Sequence, residues 1–293
     1  NKMKKQILVA TLCFSGQLLF AQKTDLSSLK GKVISSSTHV TADMDMGMGT
    51  MNTINDVSFE MKIIGEDAEA YQISYTMKKM KMKMEGMGQD MSYDSDKPED
   101  ASSQLGESMK EMINKADTVR LNKKTLRKIK TEGEEKTKSM GMDAGMQSSS
   151  AEGMFLMIPA DMEIGKNWET ENKDGGITTK NTYTLVSKNG GTALVKVKTT
   201  AQGTSEREAM GQTMNVTIDQ TMNSDLEVEL ATGLIQKNMM TGDMNNSMDM
   251  MGQEMKMSTK PTAHRRHSWD THCLARYLQD FYPVPERQNL SIQ

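Results

Sequence analysis

Apolar side chains recur at every second position in window after window of this chain. Val57, Phe59, Met61 and Ile63 form one run, Ile73, Tyr75 and Met77 the next, and Met80, Met82 and Met84 a third. Further on come Tyr183 and Leu185, then Ala193, Val195 and Val197, then Met214, Val216 and Ile218, then Leu226, Val228 and Leu230. Side chains of a strand point alternately to its two faces, so this period specifies β-structure with one apolar face. Lys, Thr and Glu at the intervening positions put the other face in water, the pattern of antiparallel sheet. Between Met77 and Met80 the parity flips across Lys78-Lys79, which predicts a β-bulge that keeps both runs on one face. Turn-forming Gly65-Glu66-Asp67, Asn189-Gly190-Gly191 and Thr232-Gly233 separate the runs at hairpin intervals.

Methionine decides whether such a sheet has a core. Leu, Ile, Val and Phe together stay below the roughly 20% under which disorder becomes the expectation. The 31 Met residues restore the apolar inventory, and all but Met3 lie between residues 22 and 260. Packing therefore has first claim on the thioethers, Met80, Met82 and Met84 included. The turn-proximal Met44, Met46, Met48, Met248, Met250 and Met251 are the candidates for binding a soft metal such as Cu(I) or Ag(I). A Met-Gly-Gln-x-Met motif occurs at Met87–Met91, Met210–Met214 and Met251–Met255, and its Gly-Gln centre between Met-bearing strands predicts three hairpin tips. One helix is expected, over Ser102–Lys115, with Leu105, Met109, Met112 and Ile113 on one stripe and Ser102 or Ser103 as cap. The acids Asp94, Asp96, Glu99 and Asp100 before it lack the spacing of a calcium loop and read as a solvated turn. Residues 132–153 have no period and read as a connection between two halves.

The two ends differ from the body. Lys4 and Lys5, the apolar stretch Ile7–Phe20 and the small Ala21 before Gln22 have the form of an export signal over residues 1–21, with Asn1 and Lys2 as extra leading residues before Met3. The stretch is too short for a membrane span, so none is expected once it is removed. Cys13 goes with it and Cys273 lies near the other end, which leaves the body without cysteine and without a disulfide. From Pro261 to Gln293 methionine stops and His, Pro and aromatic residues accumulate. This segment reads as a frame-shifted or foreign tail, and residues 22–260 as the exported domain that folds without it. Its His264, His267, His272 and Cys273 have zinc-like chemistry but no second cluster to complete a tetrahedral site.

A net charge of -3 excludes the basic footprint of a nucleic-acid binder. The chain carries no nucleophile elbow, phosphate loop or dinucleotide fingerprint. His39, in a Ser/Thr-rich strand, is the body's lone imidazole, so histidine-assisted thiol or hydroxyl catalysis lacks its parts there. No catalytic residue, cofactor or resident metal is assigned. Trp168, just after a Gly-permitted turn, reads as a core or sheet-edge anchor.

Several segments together resemble a known family: the Met-Gly-Gln-x-Met hairpins, Tyr93-Asp94-Ser95-Asp96 before a helix, Ile158-Pro159 followed by Ile164-Gly165-Lys166-Asn167-Trp168, and Thr232-Gly233-Leu234-Ile235. They resemble an uncharacterised exported Met-rich family of Bacteroidetes, a domain of unknown function, over roughly Lys30–Lys260. The resemblance implies an exported β-rich domain and no catalytic residues. The expectation is a mainly β protein of curved antiparallel sheets, half-barrel or barrel-like, with one packed helix. It would be a periplasmic or secreted, non-enzymatic protein of the cell envelope, binding an apolar ligand or a protein partner. A thioether Cu(I)/Ag(I) binder is the second reading and an enzyme the third.

Overall fold

The computed structural model describes residues 24–47, 49–110, 112–129, 153–209, 212–250 and 253–268. The expected signal segment, the connection at 132–153, His272 and Cys273 lie outside the described residues. Among the described residues eleven strands make one antiparallel sheet: β1 (Val33–Asp45), β2 (Thr50–Glu66), β3 (Ala70–Gly86), β4 (Gln89–Asp94), β5 (Ala116–Asn122), β6 (Asn167–Asp174), β7 (Ile177–Asn189), β8 (Thr192–Ala209), β9 (Gln212–Glu229), β10 (Ile235–Met250) and β11 (Gln253–Ser268). Their order is β4-β3-β2-β1-β11-β10-β9-β8-β7-β6, with β5 also on β3. The sheet does not close: β6 is one edge, and β4 and β5 share the other.

Register explains that shared edge. Ser58 pairs with Lys79 and Phe59 with Met77, so Lys78 is the extra residue of a bulge where the parity flip predicted one. Met77, Met80 and Met82 consequently all face the core, each less than 9% exposed. The bulge is also where the edge changes hands. β4 pairs with Lys81–Gly86 and β5 with Ala70–Thr76, and between them residues 95–115 leave the sheet. Ser95 N donates to Met80 O and Asn114 N to Met77 O, which pins both ends of the excursion beside Lys78.

That excursion corrects the expected helix. Pro98–Ser102 forms a 3-10 turn, and the α-helix (α1) covers only Gln104–Lys110. Ser103 Oγ accepts from Gly106 N at 2.9 Å, the cap proposed from the sequence. Ile113 is drawn instead into a bridge with Met77, and Asn114 follows at φ 61, so the chain turns back to the sheet after two helical turns. Among the described residues no helix of the expected length packs on the sheet.

The expected boundary at Lys260 is also corrected. β11 runs through Pro261 to Ser268 and lies in the middle of the sheet, pairing β1 from Ser258↔Asp45 to Ser268↔Ser35 and β10 from Gln253↔Met250 to Arg266↔Lys237. Its last eight residues show no apolar alternation, so periodicity could not find them. Two neighbouring backbones fix them instead.

The Met-Gly-Gln motif at Met87–Met91 falls at the β3–β4 tip as expected; Met210, Gly211, Met251 and Gly252 of the other two lie outside the described residues, between the paired ends Ala209↔Gln212 of β8–β9 and Met250↔Gln253 of β10–β11. Antiparallel pairing puts these tips, with those of β1–β2 and β6–β7, at one end of the sheet, called here the rim. The other end, the base, holds the core. One cluster gathers Phe59, Met61, Ile73, Tyr75, Met80, Met82, Val119 and Leu121 from β2, β3 and β5, and is capped by Leu26, Leu29, Met109, Phe155 and Leu234. A second joins Leu185, Ala193, Val195, Leu226, Val228 and Ile235 across β7–β10. Segment 154–166 closes the base: Leu156 N donates to Gly233 O at 2.8 Å and Gly165 N to Leu185 O at 2.7 Å. Gly233 has φ +69, and a Cβ there would stand 2.7 Å from Leu156 O, so the turn admits only glycine.

Candidate functional site

The strands outrun the core they build. β8 and β9 have 18 residues each and β10 and β11 16 each, yet on the core-bearing face, the inner face, no described side chain nearer the rim than Met82, Pro261 and Val197 is buried. Beyond them the alternation continues in a weaker form. Val40, Ala42 and Met44 of β1, Met240, Met244 and Met248 of β10, Met257 of β11, and Ile218 and Met222 of β9 are half-buried. Their sequence neighbours Asp43, Asp45, Asp219, Asp243, Asn245 and Ser258, on the outer face, are exposed. On these strands the half-buried inner face is thus thioether-rich, with uncharged polar residues such as Asn55, Gln220 and Asn246 between the methionines, and the acidic residues stand on the other side.

Register distributes the candidate methionines. Met44 faces inward, opposite Met51 of β2 and Thr259 of β11. Met46 begins the β1–β2 tip, its N–H donating to Gly49 O at 3.1 Å. Met248 pairs with Met255 and Val216, and Met250 ends β10 opposite Gln253. Met48 and Met251 lie outside the described residues. Because β1 pairs with β11, the two groups sit on adjacent hairpins. Met44 and Met248 are nonetheless four residues apart along the strands and two strands apart across them, roughly 14 Å by 10 Å, too far for one ion. The partners the sequence did not single out are Met51 and Met91. Met91 stands opposite Met84 as Met51 stands opposite Met44, two pairs offset by two residues across four consecutive strands.

A polar seam on the inner face of β11 and its neighbours separates the two core clusters. Arg265 of β11 donates from Nε to Thr38 Oγ1 at 3.1 Å and pairs in register with Asn238. Two positions on, His267 is 5% exposed, with Nδ1 against the Ile235 carbonyl oxygen. His267 Nε2 and Asn238 Oδ1 have no partner among the described residues. Burial pushes His267 down to about 3, so it is neutral at ordinary pH, and burial also lowers Arg265. His264, three residues from His267 along a strand, faces the opposite side, so these two members of the zinc-like set do not converge. On that outer face His264 pairs in register with His39, whose Nδ1 lies 2.6 Å from Asp56 Oδ1. His39 is thus a half-buried, hydrogen-bonded residue, as expected.

The remaining candidates are engaged structurally. Asp94 N–H donates to Asp100 Oδ2 at 2.8 Å, while Asp96 and Asp94 pair with Lys79 and Lys81. Among the described residues no three His, Cys, Asp or Glu side chains group so as to hold a metal ion. Trp168 anchors the edge strand β6 as expected, stacking on Tyr183 with ring centroids 4.9 Å apart and packing against the second core cluster. A depression of about 410 Å³ lies on the outer face by the rim, among Asp45, Thr217, Asn245, Ser247, Lys256 and Ser258. A cavity of about 30 Å³ at the base, between Leu156, Pro159 and Leu230, has room for little more than a water.

Comparison with known proteins places the chain without assigning it an activity. No curated protein matches it. Among solved structures, OccK5 (OpdH) of Pseudomonas aeruginosa aligns over 81% of this chain and 98% of its own at 8% identity, with a TM-score of 0.17. The botulinum neurotoxin serotype C1 binding domain aligns over 79% and 78% at 8% identity, with a TM-score of 0.14. Scores that low carry no statement about fold. A family model matches residues 68–130 and 128–235, which span β3 to the β9–β10 turn and include the Pro159, Gly165-Trp168 and Thr232-Gly233 segments. The chain belongs to the family of unknown function DUF6263.

Proposed function

We propose that this protein is an exported, non-enzymatic domain of the cell envelope that holds an apolar ligand against the inner face of its sheet, between core and rim. One observation carries the reading. Strands of 16–18 residues continue well past the core, and on β9, β10 and β11 the inner face they extend sets half-exposed Ile218, Met222, Met240, Met244, Met248 and Met257 among uncharged polar residues such as Gln220 and Asn246. A strand needed only for folding gains nothing from Met240, Met244 and Met257 there, because thioethers that bury little surface contribute little stability. Flexible, polarisable side chains suit a surface that adapts to an apolar ligand. The leader-like residues 1–21 support export to the periplasm or beyond. No helix among the described residues is long and apolar enough to cross a membrane.

The test is to express the full chain with its own leader, recover it from the periplasmic fraction and analyse it by native mass spectrometry and solvent extraction. The expected result is a co-purifying apolar molecule that is lost from Met240→Lys/Met244→Lys, which places two ammonium groups on the inner face while leaving the core clusters intact. Protein that comes from the periplasm free of any such molecule, and does not take up an environment-sensitive apolar dye, would count against the reading. A stoichiometric protein partner in its place would redirect it.

A further inference from the structure

We propose that the ligand of the inner face is a single-chain amphiphile with a carboxylate head, which Arg265 holds while the chain runs from there toward the rim. This rests on the apolar-ligand reading and names the chemistry of its ligand.

Charge locates the head. Register puts Arg265 on the inner face of β11, in one row with Val57 of β2, Thr38 of β1, Asn238 of β10 and Leu226 of β9. From that row to the rim, no other described inner-face position of these five strands carries a charge, because Asp43, Asp45, Asp56, Asp219, Asp225 and Asp243 alternate onto the outer face. One residue pair toward the base stands His267, which burial keeps neutral. Arg265 is half-buried, its Nε donates to Thr38 Oγ1, and the described inner face offers it no carboxylate. A cation drawn out of water without a counter-ion costs stability, and an anion brought by a ligand offsets that cost.

The nature of the head follows from the count of charges. One guanidinium balances a monoanion, and its planar fork matches the two oxygens of a carboxylate. Beside it, Asn238 has its Oδ1 buried and without a partner among the described residues, so nothing described there fixes the amide oxygen, and rotation turns the amide NH2 toward a head oxygen.

Side-chain size sets the direction of the chain. Toward the rim the next inner-face residues of β11 are Ala263 and Pro261, both buried, with Ala42 opposite Pro261 on β1. On β10 the inner-face position after Met240 is Gly242, where a Cβ would collide with Met222 Sδ, so the thioether of Met222 leans over the glycine. These small residues floor a furrow flanked by Val40 on β1 and by Met240 and Met244 on β10. From the row of Asn238 to Met244 it runs six residues, about 20 Å at ~3.4 Å per residue, which accommodates a long acyl chain.

The experiment titrates the full chain, stripped of lipid on a hydrophobic resin, with cis-parinaric acid and with its methyl ester, fluorescent probes that share a chain and differ in head charge. The acid is expected to bind at least about tenfold more tightly than the ester, and Arg265→Met should bring that ratio close to one. Should Arg265→Met not fold, Asn238→Asp, which gives Arg265 a carboxylate of its own, should weaken binding of the acid by about tenfold. Equal affinity of the native chain for acid and ester, or a native ratio kept by Arg265→Met, would overturn the carboxylate head and leave the apolar-ligand reading standing. A native chain that binds neither probe nor a neutral apolar dye would overturn both. Tighter binding of phosphatidylglycerol than of the acid would replace the single-chain carboxylate by a two-chain phosphodiester and so overturn the assignment.

Discussion

The methionines at the base and those at the rim share one sheet face and one period, and they differ in almost everything physical. At the base Met61, Met77, Met80 and Met82 are no more than 6% exposed and meet aromatic and branched side chains from several elements. At the rim Met87 and Met91 are 47% and 45% exposed and Met44, Met51 and Met84 half-buried. The difference arises because base strands are covered by the segments at 24–32, 98–113 and 153–166, which contribute Leu26, Leu29, Met109 and Phe155 to the core. Alternation alone shows which side of the sheet a methionine occupies. What covers that side is set by loops distant in sequence.

The base–rim division depends on β11, which joins the two halves of the sheet, and the largest expected effect comes from cutting it. Deleting residues 261–293 removes the half of β11 that pairs Ser35–Ala42 on one side and Lys237–Thr241 on the other. The truncated chain should lose its cooperative thermal transition, the opposite of what the composition break at Pro261 suggested. A melting temperature within a few degrees of the full chain would show that β1 and β10 do not need the strand between them.

Single substitutions sharpen the comparison. Met61→Ala, at 0% exposed, should cost about 2–5 kcal/mol in denaturant unfolding, the range for large-to-small changes in a packed core. Met44→Ala should cost under about 1 kcal/mol, because a half-exposed side chain leaves no closed cavity. Met80→Leu and Met82→Leu conserve volume and should each cost less than about 1.5 kcal/mol. Equal losses for Met61→Ala and Met44→Ala would erase the distinction between the two ends.

The seam between the two core clusters gives a pH signature. His267 has an ordinary value of 6.5, and burial holds it at about 3 in the folded chain. The unfolded chain takes up a proton below pH 6.5 and the folded chain does not until about pH 3, so stability is lost as pH falls through that window. The slope from this residue approaches roughly 1.4 kcal/mol per pH unit. His267→Val should flatten that part of the stability profile in urea melts between pH 4 and pH 7. An unchanged slope would mean that the imidazole is not held neutral by burial.

Much of this architecture was legible in the chain. The bulge at Lys78 followed from parity alone, and the Met87–Met91 tip from turn chemistry, because both are local. The end of β11 was not legible: Pro261, Ala263, Arg265 and His267 face inward and Thr262, His264 and Arg266 outward, so neither face is uniformly apolar. Backbone pairing on both sides overrides that pattern. The helix was overestimated because Leu105, Met109 and Met112 fit a helical stripe, while Ile113 and Asn114 are held by Met77 of β3 instead. The candidate site was half legible. Met44 could be read as turn-proximal, but its pairing with Met51, like that of Met84 with Met91, is a property of register, which no single strand encodes.

The smallest expected effect on stability is also the finest probe of the two ends. Dilute peroxide converts methionine to the polar sulfoxide at a rate that follows exposure, and a sulfoxide is tolerated where the side chain already meets water. Met87, Met91 and Met239, between 42% and 47% exposed, should be oxidised first, with the melting temperature shifted by no more than a degree or two. Met61, Met77, Met80 and Met82 should react only as fast as the base opens, and their oxidation should coincide with loss of the transition. Peptide mapping over a peroxide time course separates the two classes without any mutation. If Met80 and Met91 were oxidised at the same rate in folded protein, the base would have to open as freely as the rim, and covering by the loop segments would not be what divides the methionines.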